Sequence, residues 1–422
     1  MFYMVDLLSI SNIVNNGTPE IVSAYIDPGT GSMLFTILIG VISAVIYGLR
    51  GLFIKLRFKL SGGKKVETTN SIPYVIYSEG KRYFNTFKPI CDEFEKRNID
   101  LVYMTSSEDD PMFKEEYKHI KCEFIGEGNK AFAKLNFLKA DIVLSTTPGI
   151  DVYQWKRSKD VKYYVHVTHM PNDITTYRMF GIDYYDAILL SGDYQVEQVR
   201  KLEELRNLPK KDLKIVGVTY LDELKKRLDK EGKIQKENIN VLLAPSWGPS
   251  SILNKYGSRI IDELLKTGYK IIVRPHPQSF TSEKEMLDGL MNIYPNIEWN
   301  KDSDNFDVLN KSDIIISDFS GVIFDFSLVF DKPVIYADTS FDYSPYDAWW
   351  LKEPLWTFNI LPEIGEQLKE ENLSNIKEII DTCLNNQKYK EGREKARKET
   401  YQNEGKAAIS VVDYLVDKHK EL

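Results

Sequence analysis

A chain of 422 residues exceeds the length at which one hydrophobic core keeps growing, so it reads as two globular domains with a shorter extra segment. Hydrophobic residues at 43% and charged residues at 28% exclude a disordered or disulfide-stapled chain, and a net charge of -7 excludes nucleic acid as a general partner. Cys91, Cys122 and Cys383 form no C-x-x-C pair and read as packing residues in a reducing compartment, not as a metal knuckle.

The first element in chain order is a charge-free stretch from Pro28 to Leu49. Its apolar part, from Met33 onward, predicts a transmembrane helix over about residues 28–49. Arg50, Lys55, Arg57, Lys59, Lys64 and Lys65 follow it with no acid among them, whereas Asp6, Glu20 and Asp27 precede it. The positive-inside rule then sets the N-terminus outside and the large C-terminal body in the cytoplasm, a single-pass arrangement in the cell membrane. A cleaved signal peptide fits poorly, because the first residues lack a basic region and the apolar stretch comes late. Residues 1–66 are therefore read as a membrane segment with a basic juxtamembrane run.

After the Ser61-Gly62-Gly63 break, short runs rich in Val, Ile and Tyr alternate with longer helical patterns, which is the signature of parallel sheets. Strands are predicted near 73–77, 100–104, 121–125, 141–145, 161–167, 186–190 and 213–216, and a second set near 240–244, 270–273, 296–299, 313–317 and 333–336. The division falls at about residue 235, giving Rossmann-like domains over 67–235 and 236–422. From about Glu366 the chain reads as helix, with an apolar stripe at Ala408, Val412 and Leu415 in a charged tail. Two such domains in tandem leave a cleft between the carboxyl ends of their sheets, where open α/β sheets bind ligands.

The residues just after each strand are therefore the candidates. In the second domain, Arg274-Pro275-His276-Pro277 fixes an imidazole beside a guanidinium, a pairing suited to anionic oxygens. The run Ser317-Asp318-Phe319-Ser320-Gly321 enters a helix for which Ser320 is the expected N-cap, leaving the N–H groups of Gly321 and Val322 for a phosphate. Asp318 and Asp325 are candidates for orienting a ligand hydroxyl, and the small residues around Ser246, in Ala244-Pro245-Ser246-Trp247-Gly248, permit close approach to a pyrophosphate.

In the first domain, His169 lies past the end of the strand VKYYVHV, in Thr168-His169-Met170-Pro171-Asn172-Asp173, and is expected to face the cleft; His166 reads as an ordinary strand histidine. Two more loops reach the same edge, carrying Glu79 and Gly80 before Lys81-Arg82, and Thr147 and Gly149 after DIVLS; Lys81 and Arg82 read equally as a solvated helix start. The pair Asp302-x-Asp304 has the form of a metal-binding D-x-D but also sits where a helix cap belongs, so no metal ligand is assigned.

RPHP at 274–277, SDFSGVIFDF at 317–326 and KPVIY at 332–336 together resemble the C-terminal domain of the CDP-glycerol glycerophosphotransferases, whose usual forms are R-x-H-P and S-D-Y-S-S-x-x-F-D-F before a K-P-hydrophobic strand. SWG at 246–248 is similar to that family's P-T-W-R, with Ser for Thr and Gly for Arg. Where polymerising members carry W-H-G-T, this chain reads VTHMPND, keeping the imidazole as His169 and replacing the following glycine by Met170.

The resemblance implies a GT-B-like architecture, no metal or other cofactor, CDP-glycerol as donor, and a lipid-linked or glycerol-phosphate-terminated acceptor in synthesis of teichoic-acid-like polymers. It implies His169 and His276 as catalytic residues. Arg274, Ser246, Ser317, Asp318, Ser320, Gly321 and Asp325 fall to the donor side, and Glu79, Gly80, Thr147 and Gly149 to the acceptor side. The rival readings are a nucleotide-sugar glycosyltransferase or epimerase on the same architecture, and a non-catalytic membrane adaptor that binds a glycopolymer or nucleotide.

Overall fold

The apolar runs form two sheets, and every strand pairing within them is parallel. A computed structural model of the protein describes residues 71–153, 155–234, 237–302, 304–337 and 341–422. The first sheet contains β1 (Ile72–Ser78), β2 (Leu101–Thr105), β3 (Ile120–Phe124), β4 (Ala140–Ser145), β5 (Val161–Val167), β6 (Ala187–Leu190) and β7 (Asp212–Ile215). Their order is β3-β2-β1-β4-β5-β6-β7. The second contains β8 (Asn240–Leu243), β9 (Lys270–Val273), β10 (Glu298–Trp299), β11 (Ile314–Ser317), β12 (Val334–Ala337) and β13 (Gly365–Leu368), ordered β10-β9-β8-β11-β12-β13.

Helices cover both faces of such sheets, so central strands are apolar throughout rather than alternating. All of β4 and all of β11 are buried. Ile314, Ile315 and Ile316 are almost wholly inaccessible, each contributing about 1.5–3 kcal/mol of burial. In both sheets the strand order reverses direction in the middle, between β1 and β4 and between β8 and β11. Loops leaving the carboxyl ends of neighbouring strands there diverge to opposite faces and open a crevice.

Three local expectations are corrected. The chain from Glu366 is not helical at once: Gly365–Leu368 adds an edge strand beside β12. It lacks a β-branched run, and its one signal is Gly365, where a Cβ would lie 1.9 Å from the Val334 carbonyl oxygen. The charged tail is two helices, Gln387–Thr400 and Ala407–Glu421, broken where Asn403 and Gly405 take positive φ. The last of these packs Val411, Val412 and Leu415 into the core of the first sheet. Ser320 makes no side-chain cap; the helix starts at Val322 with Gly321 before it, and becomes a π-helical turn over Asp325–Val329.

The two sheets are joined at several points. Asp222, on the helix Thr219–Glu231, accepts hydrogen bonds from the Tyr401 hydroxyl and from the backbone N–H groups of Gly405 and Ala407. Arg206 lies buried between Asp183 and Asp347, bringing the segment after β12 onto the first domain. Among the described residues no helix is long and apolar enough to cross a membrane. The stretch 28–49 expected to do so, and with it residues 1–66, lies outside the described residues.

Candidate active site

All the candidate loops leave carboxyl ends of strands, and four of them leave the strands flanking the two reversals. After β1, the Ser78 hydroxyl donates to the Gly80 carbonyl at 3.0 Å, and a short 3-10 turn over Lys81–Tyr83 follows. Glu79 sits 3.2 Å from the Arg82 guanidinium and accepts from the Thr147 hydroxyl at 3.5 Å, so the loops after β1 and β4 meet. Thr147 is held in turn by Tyr185, whose hydroxyl donates to its carbonyl at 2.5 Å. Gly149 has a φ of +88°, and a Cβ there would lie 2.1 Å from the Tyr153 ring. Gly80 and Gly149 thus act on the loops after β1 and β4 through their backbones, while Glu79 and Thr147 contribute side chains that meet between those loops.

His169 is half-buried after β5. Its Nδ1 lies 2.7 Å from the Thr146 hydroxyl, and the Tyr83 ring packs edge-on against it at 5.1 Å. Burial, and secondarily the Arg82 charge, depress its pKa to about 4, so the ring is a neutral imidazole at physiological pH. Its loop is held from both sides. Tyr194 and Gln195 donate to the Pro171 and Asn172 carbonyls, while Asp173 accepts from the backbone N–H groups of Trp356 and Thr357 at 2.9 and 2.7 Å. A carboxylate at the first turn of the helix Trp356–Asn359 is favourable for capping and for the helix dipole.

Met170 reaches the second domain. A Cβ added at Gly321 would lie 3.4 Å from the Met170 sulfur and 3.8 Å from the Asn172 side-chain oxygen. The loop after β5 and the helix start after β11 therefore face each other across one cleft, at a separation that would leave a Cβ on Gly321 in ordinary van der Waals contact.

In the second domain the predicted donor-side residues divide into two groups. Ser317 donates to the Ala244 carbonyl at 2.6 Å, and Asp318 accepts from the backbone N–H groups of Ser246 and Ile252 at 3.0 and 2.9 Å. These side chains tie the loops after β8 and β11 together, and burial raises the Asp318 pKa. Asp325 points into the domain, accepting from Tyr220 and Asn305 at 3.1 and 3.3 Å, and burial pushes its pKa up to about 7. Ser317, Asp318 and Asp325 are thus committed to internal partners, because in each case burial demands a hydrogen bond that a neighbouring loop supplies.

The remaining donor-side residues are less fully engaged by neighbouring loops. Ser246 has a buried hydroxyl oxygen without a partner, and Ser320 is only partly covered. Arg274 bonds the Asn300 side chain, with burial lowering its pKa against the pull of Asp302. His276 accepts the Gln278 backbone N–H at Nδ1, 3.1 Å away. Because a backbone amide can only donate, the neutral His276 ring carries its proton on Nε2 and offers it as a donor. Burial lowers its pKa as well, opposed by Glu283 and aided by Arg274 and Arg82.

Arg82 is the residue that sequence reasoning left as a solvated helix start. Its charge acts on both His169 and His276, which lie on different domains, so it stands in the field of the cleft between them. Tyr83, Thr146 and Tyr177, which surround His169, were likewise not singled out. For Tyr83 and Thr146 the sequence signal is position shortly past a strand end; Tyr177, well beyond β5, carries none. Asp304 caps Phe306 N at 3.0 Å and pairs with Arg227, and no group of three metal-ligating side chains occurs among the described residues.

The model of the CDP-glycerol:poly(glycerophosphate) glycerophosphotransferase family matches residues 194–417, more than half of the chain. The chain belongs to this family. It is a CDP-glycerol glycerophosphotransferase-like transferase. No curated protein matches it in sequence. Among solved structures, the transferase is similar to the wall teichoic acid polymerase TagF at a TM-score of 0.57 and 15% identity, covering 90% of this chain and 98% of that one. A TagF variant soaked with CDPG is similar at 0.55 and 16%, with coverage of 85% and 91%. A putative UDP-N-acetylglucosamine 2-epimerase from Listeria monocytogenes follows at 0.53 and 14%, with coverage of 84% and 98%. At these identities the likeness shows the fold, two parallel α/β sheets in a GT-B-like arrangement.

Proposed function

We propose that this transferase moves glycerol phosphate from CDP-glycerol to a membrane-linked acceptor, releasing CMP, in the synthesis of a teichoic-acid-like polymer of the cell envelope. The observation that carries the reading is the pairing, across one cleft, of a neutral imidazole at His169 with a donor set at His276, Arg274 and the Gly321–Val322 helix start. Family membership and the CDPG soak of TagF support the donor class.

The acceptor hydroxyl attacks the glycerol-bearing phosphorus. A bond forms from the acceptor oxygen to phosphorus, the bond from phosphorus to the CMP oxygen breaks, and the hydroxyl proton passes to His169 Nε2. A neutral ring is the form that can take that proton. Charge developing on the transferred and leaving phosphates meets Arg82, the His276 Nε2–H, Arg274 and the backbone N–H groups of the helix start. Ser317 and Asp318 keep those loops in place, which is the preorganisation that makes such donors effective. Residues 28–49 anchor the enzyme as a transmembrane helix, with the catalytic body in the cytoplasm.

The test is CMP release by the purified protein from CDP-glycerol with a glycerol-phosphate-terminated lipid acceptor. His169→Ala should lower turnover by about 10²- to 10⁴-fold with donor binding retained, and His276→Ala should impair both. Release of UDP from a UDP-sugar, with CDP-glycerol inert, would replace this reading by a glycosyltransferase. For the anchor, protease should digest residues 70–422 in inside-out vesicles, and protection there with digestion in spheroplasts would reverse the orientation.

A further inference from the structure

The amino-terminal edge of the first sheet, opposite the cleft, carries a side chain the reaction does not use. Phe137 is 74% exposed, more than any other large apolar side chain among the described residues. Its turn, after the helix Asn129–Leu135, is fixed. Leu135 and Leu138 are buried on either side, the Phe137 N–H donates to the Lys134 carbonyl at 3.2 Å, and the Ser158 hydroxyl donates to the Leu138 carbonyl at 2.6 Å. The Asn136 side chain accepts from the Lys156 N–H at 2.8 Å, so residues 136–139 and 156–160 lie against each other.

A single exposed apolar side chain is ordinary, and it is the surroundings that set this one apart. Lys130, Lys134, Lys139, Lys156 and Lys159 are all exposed, and none forms an ion pair among the described residues. The Lys156 ammonium donates only to the Asp151 carbonyl, at 2.9 Å, while Arg157 is taken by Asp186. Glu127 and Asp160 are the only acids in residues 127–139 and 156–160, in a chain whose net charge is -7. The edge is also where the chain enters the described body. The Ile72 N–H donates to the Lys139 carbonyl at 3.2 Å, the Ala140 N–H donates to the Asp160 carbonyl at 3.1 Å, and Ile72, Ala140 and Val161 are register partners at the amino ends of β1, β4 and β5.

We propose that this edge docks on the surface of an anionic lipid bilayer, with Phe137 entering the headgroup layer and the five lysines meeting lipid phosphates. An acidic protein approaches an anionic surface by a face of the opposite sign, and an aromatic ring among lysines suits the interface, where one end of the patch is apolar and the rest is wet. The proposal rests on the reading of residues 28–49 as a membrane anchor for one point, that a bilayer is at hand. The chain then needs no tether around the body to bring this edge to it. Docking sets orientation: β4 and β5 run from this edge toward Thr146 and His169, so the cleft stands on the far side, about 20 Å away along β4.

The test uses the full chain in vesicles of phosphatidylcholine alone and of phosphatidylcholine with an equal amount of phosphatidylglycerol. Phe137→Cys carries an environment-sensitive dye, and labelled wild type gives the background from Cys91, Cys122 and Cys383. Phe113→Cys is the matched control, an aromatic 40% exposed in the turn after β2, on the opposite edge and among Glu108, Asp109, Glu115 and Glu116. Emission at 137 should shift to the blue in the phosphatidylglycerol vesicles and far less in phosphatidylcholine alone, salt should reverse the shift, and emission at 113 should stay unchanged. Lys134→Glu/Lys139→Glu/Lys159→Glu should abolish the shift at 137 without altering melting. A dye at 137 that stays in water on anionic vesicles, or a dye at 113 that shifts as much, would overturn the proposal. A shift that needs no lipid and grows with protein concentration would also overturn it, and would assign the edge to a second copy of the chain. Carbonate washing separates the anchor from the docking edge. Protein that washes off after showing the shift would overturn the reading of residues 28–49 and leave the docking edge standing, and protein that resists washing without the shift would do the reverse.

Discussion

Replacing Arg82 by Ala separates the electrostatic reading of the cleft from a purely structural one. The Arg82 side chain is 67% exposed, and its direct partner is Glu79 at 3.2 Å, a surface pair of the kind that contributes about 0–1 kcal/mol to stability. Melting should therefore change little. The contact it is proposed to make to a transferring phosphate is charge-assisted, about 1.5–3 kcal/mol, which corresponds to a loss of about 10- to 150-fold in kcat/KM. Arg82 also lowers the pKa of both His169 and His276, so its removal raises both. A base must be neutral to accept a proton, so activity is lost as pH falls through its pKa. The acid limb, near pH 4 in the wild type, should move upward in Arg82→Ala. Arg82→Lys keeps the charge and should hold the limb in place while recovering only part of kcat/KM, since an ammonium lacks the guanidinium fork. The assay is CMP release across pH at two salt concentrations. A kcat/KM within twofold of wild type, with an unmoved acid limb, would remove Arg82 from the site.

Gly149→Ala should lower stability by about 1–3 kcal/mol or more, because it forces an L-residue into a φ of +88° against the Tyr153 ring; thermal melting measures it. Arg206→Met should cost about 3–5 kcal/mol, since it leaves the buried carboxylates of Asp183 and Asp347 without their cation, and chemical denaturation reads the loss. Asp325→Asn should alter the pH dependence of stability. The folded pKa of about 7 lies above the unfolded 3.8, so the folded state binds the proton more tightly, and the contribution is fullest below about pH 4 and lost as pH rises to about 7. The wild-type protein should therefore lose about 2–4 kcal/mol relative to Asp325→Asn across that window; the difference between the two melting series cancels the histidines, and parallel series would refute it.

The fold was legible because parallel sheets write their strands as uninterrupted apolar runs. DIIIS and DIVLS are bounded by polar residues, and each became a central strand within a residue of its expected place. The edge strand Gly365–Leu368 was not legible, because its place depends on Val334 approaching a glycine, a contact between residues about 30 apart. Loops after strands could be nominated from topology alone, but which way a side chain turns could not. Asp318 and Asp325 lie in the same motif and look equally suited to a ligand. The first is consumed by the Ser246 and Ile252 amides, and the second by Tyr220 and Asn305, partners that only the folded sheet brings near.

Met170 and Gly321 likewise meet only in the folded protein. From the sequence, Met170 stands where polymerising members of the family carry glycine, and is expected to narrow the acceptor's approach. In the structure its sulfur lies 3.4 Å from where a Cβ on Gly321 would be, an ordinary contact distance, so the two walls meet closely at this point. The space over the helix start is then set by the pair. Enlarging Gly321 alone would press on Met170, which is unbranched and adaptable, rather than on backbone, so the strain of Gly321→Ala should be small. Its effect should appear in acceptor KM, because in the proposed reaction the added methyl group stands between His169 and the helix start that would hold the phosphate. A change in melting with acceptor KM unaltered would show instead that the contact serves domain packing, and that the acceptor enters elsewhere.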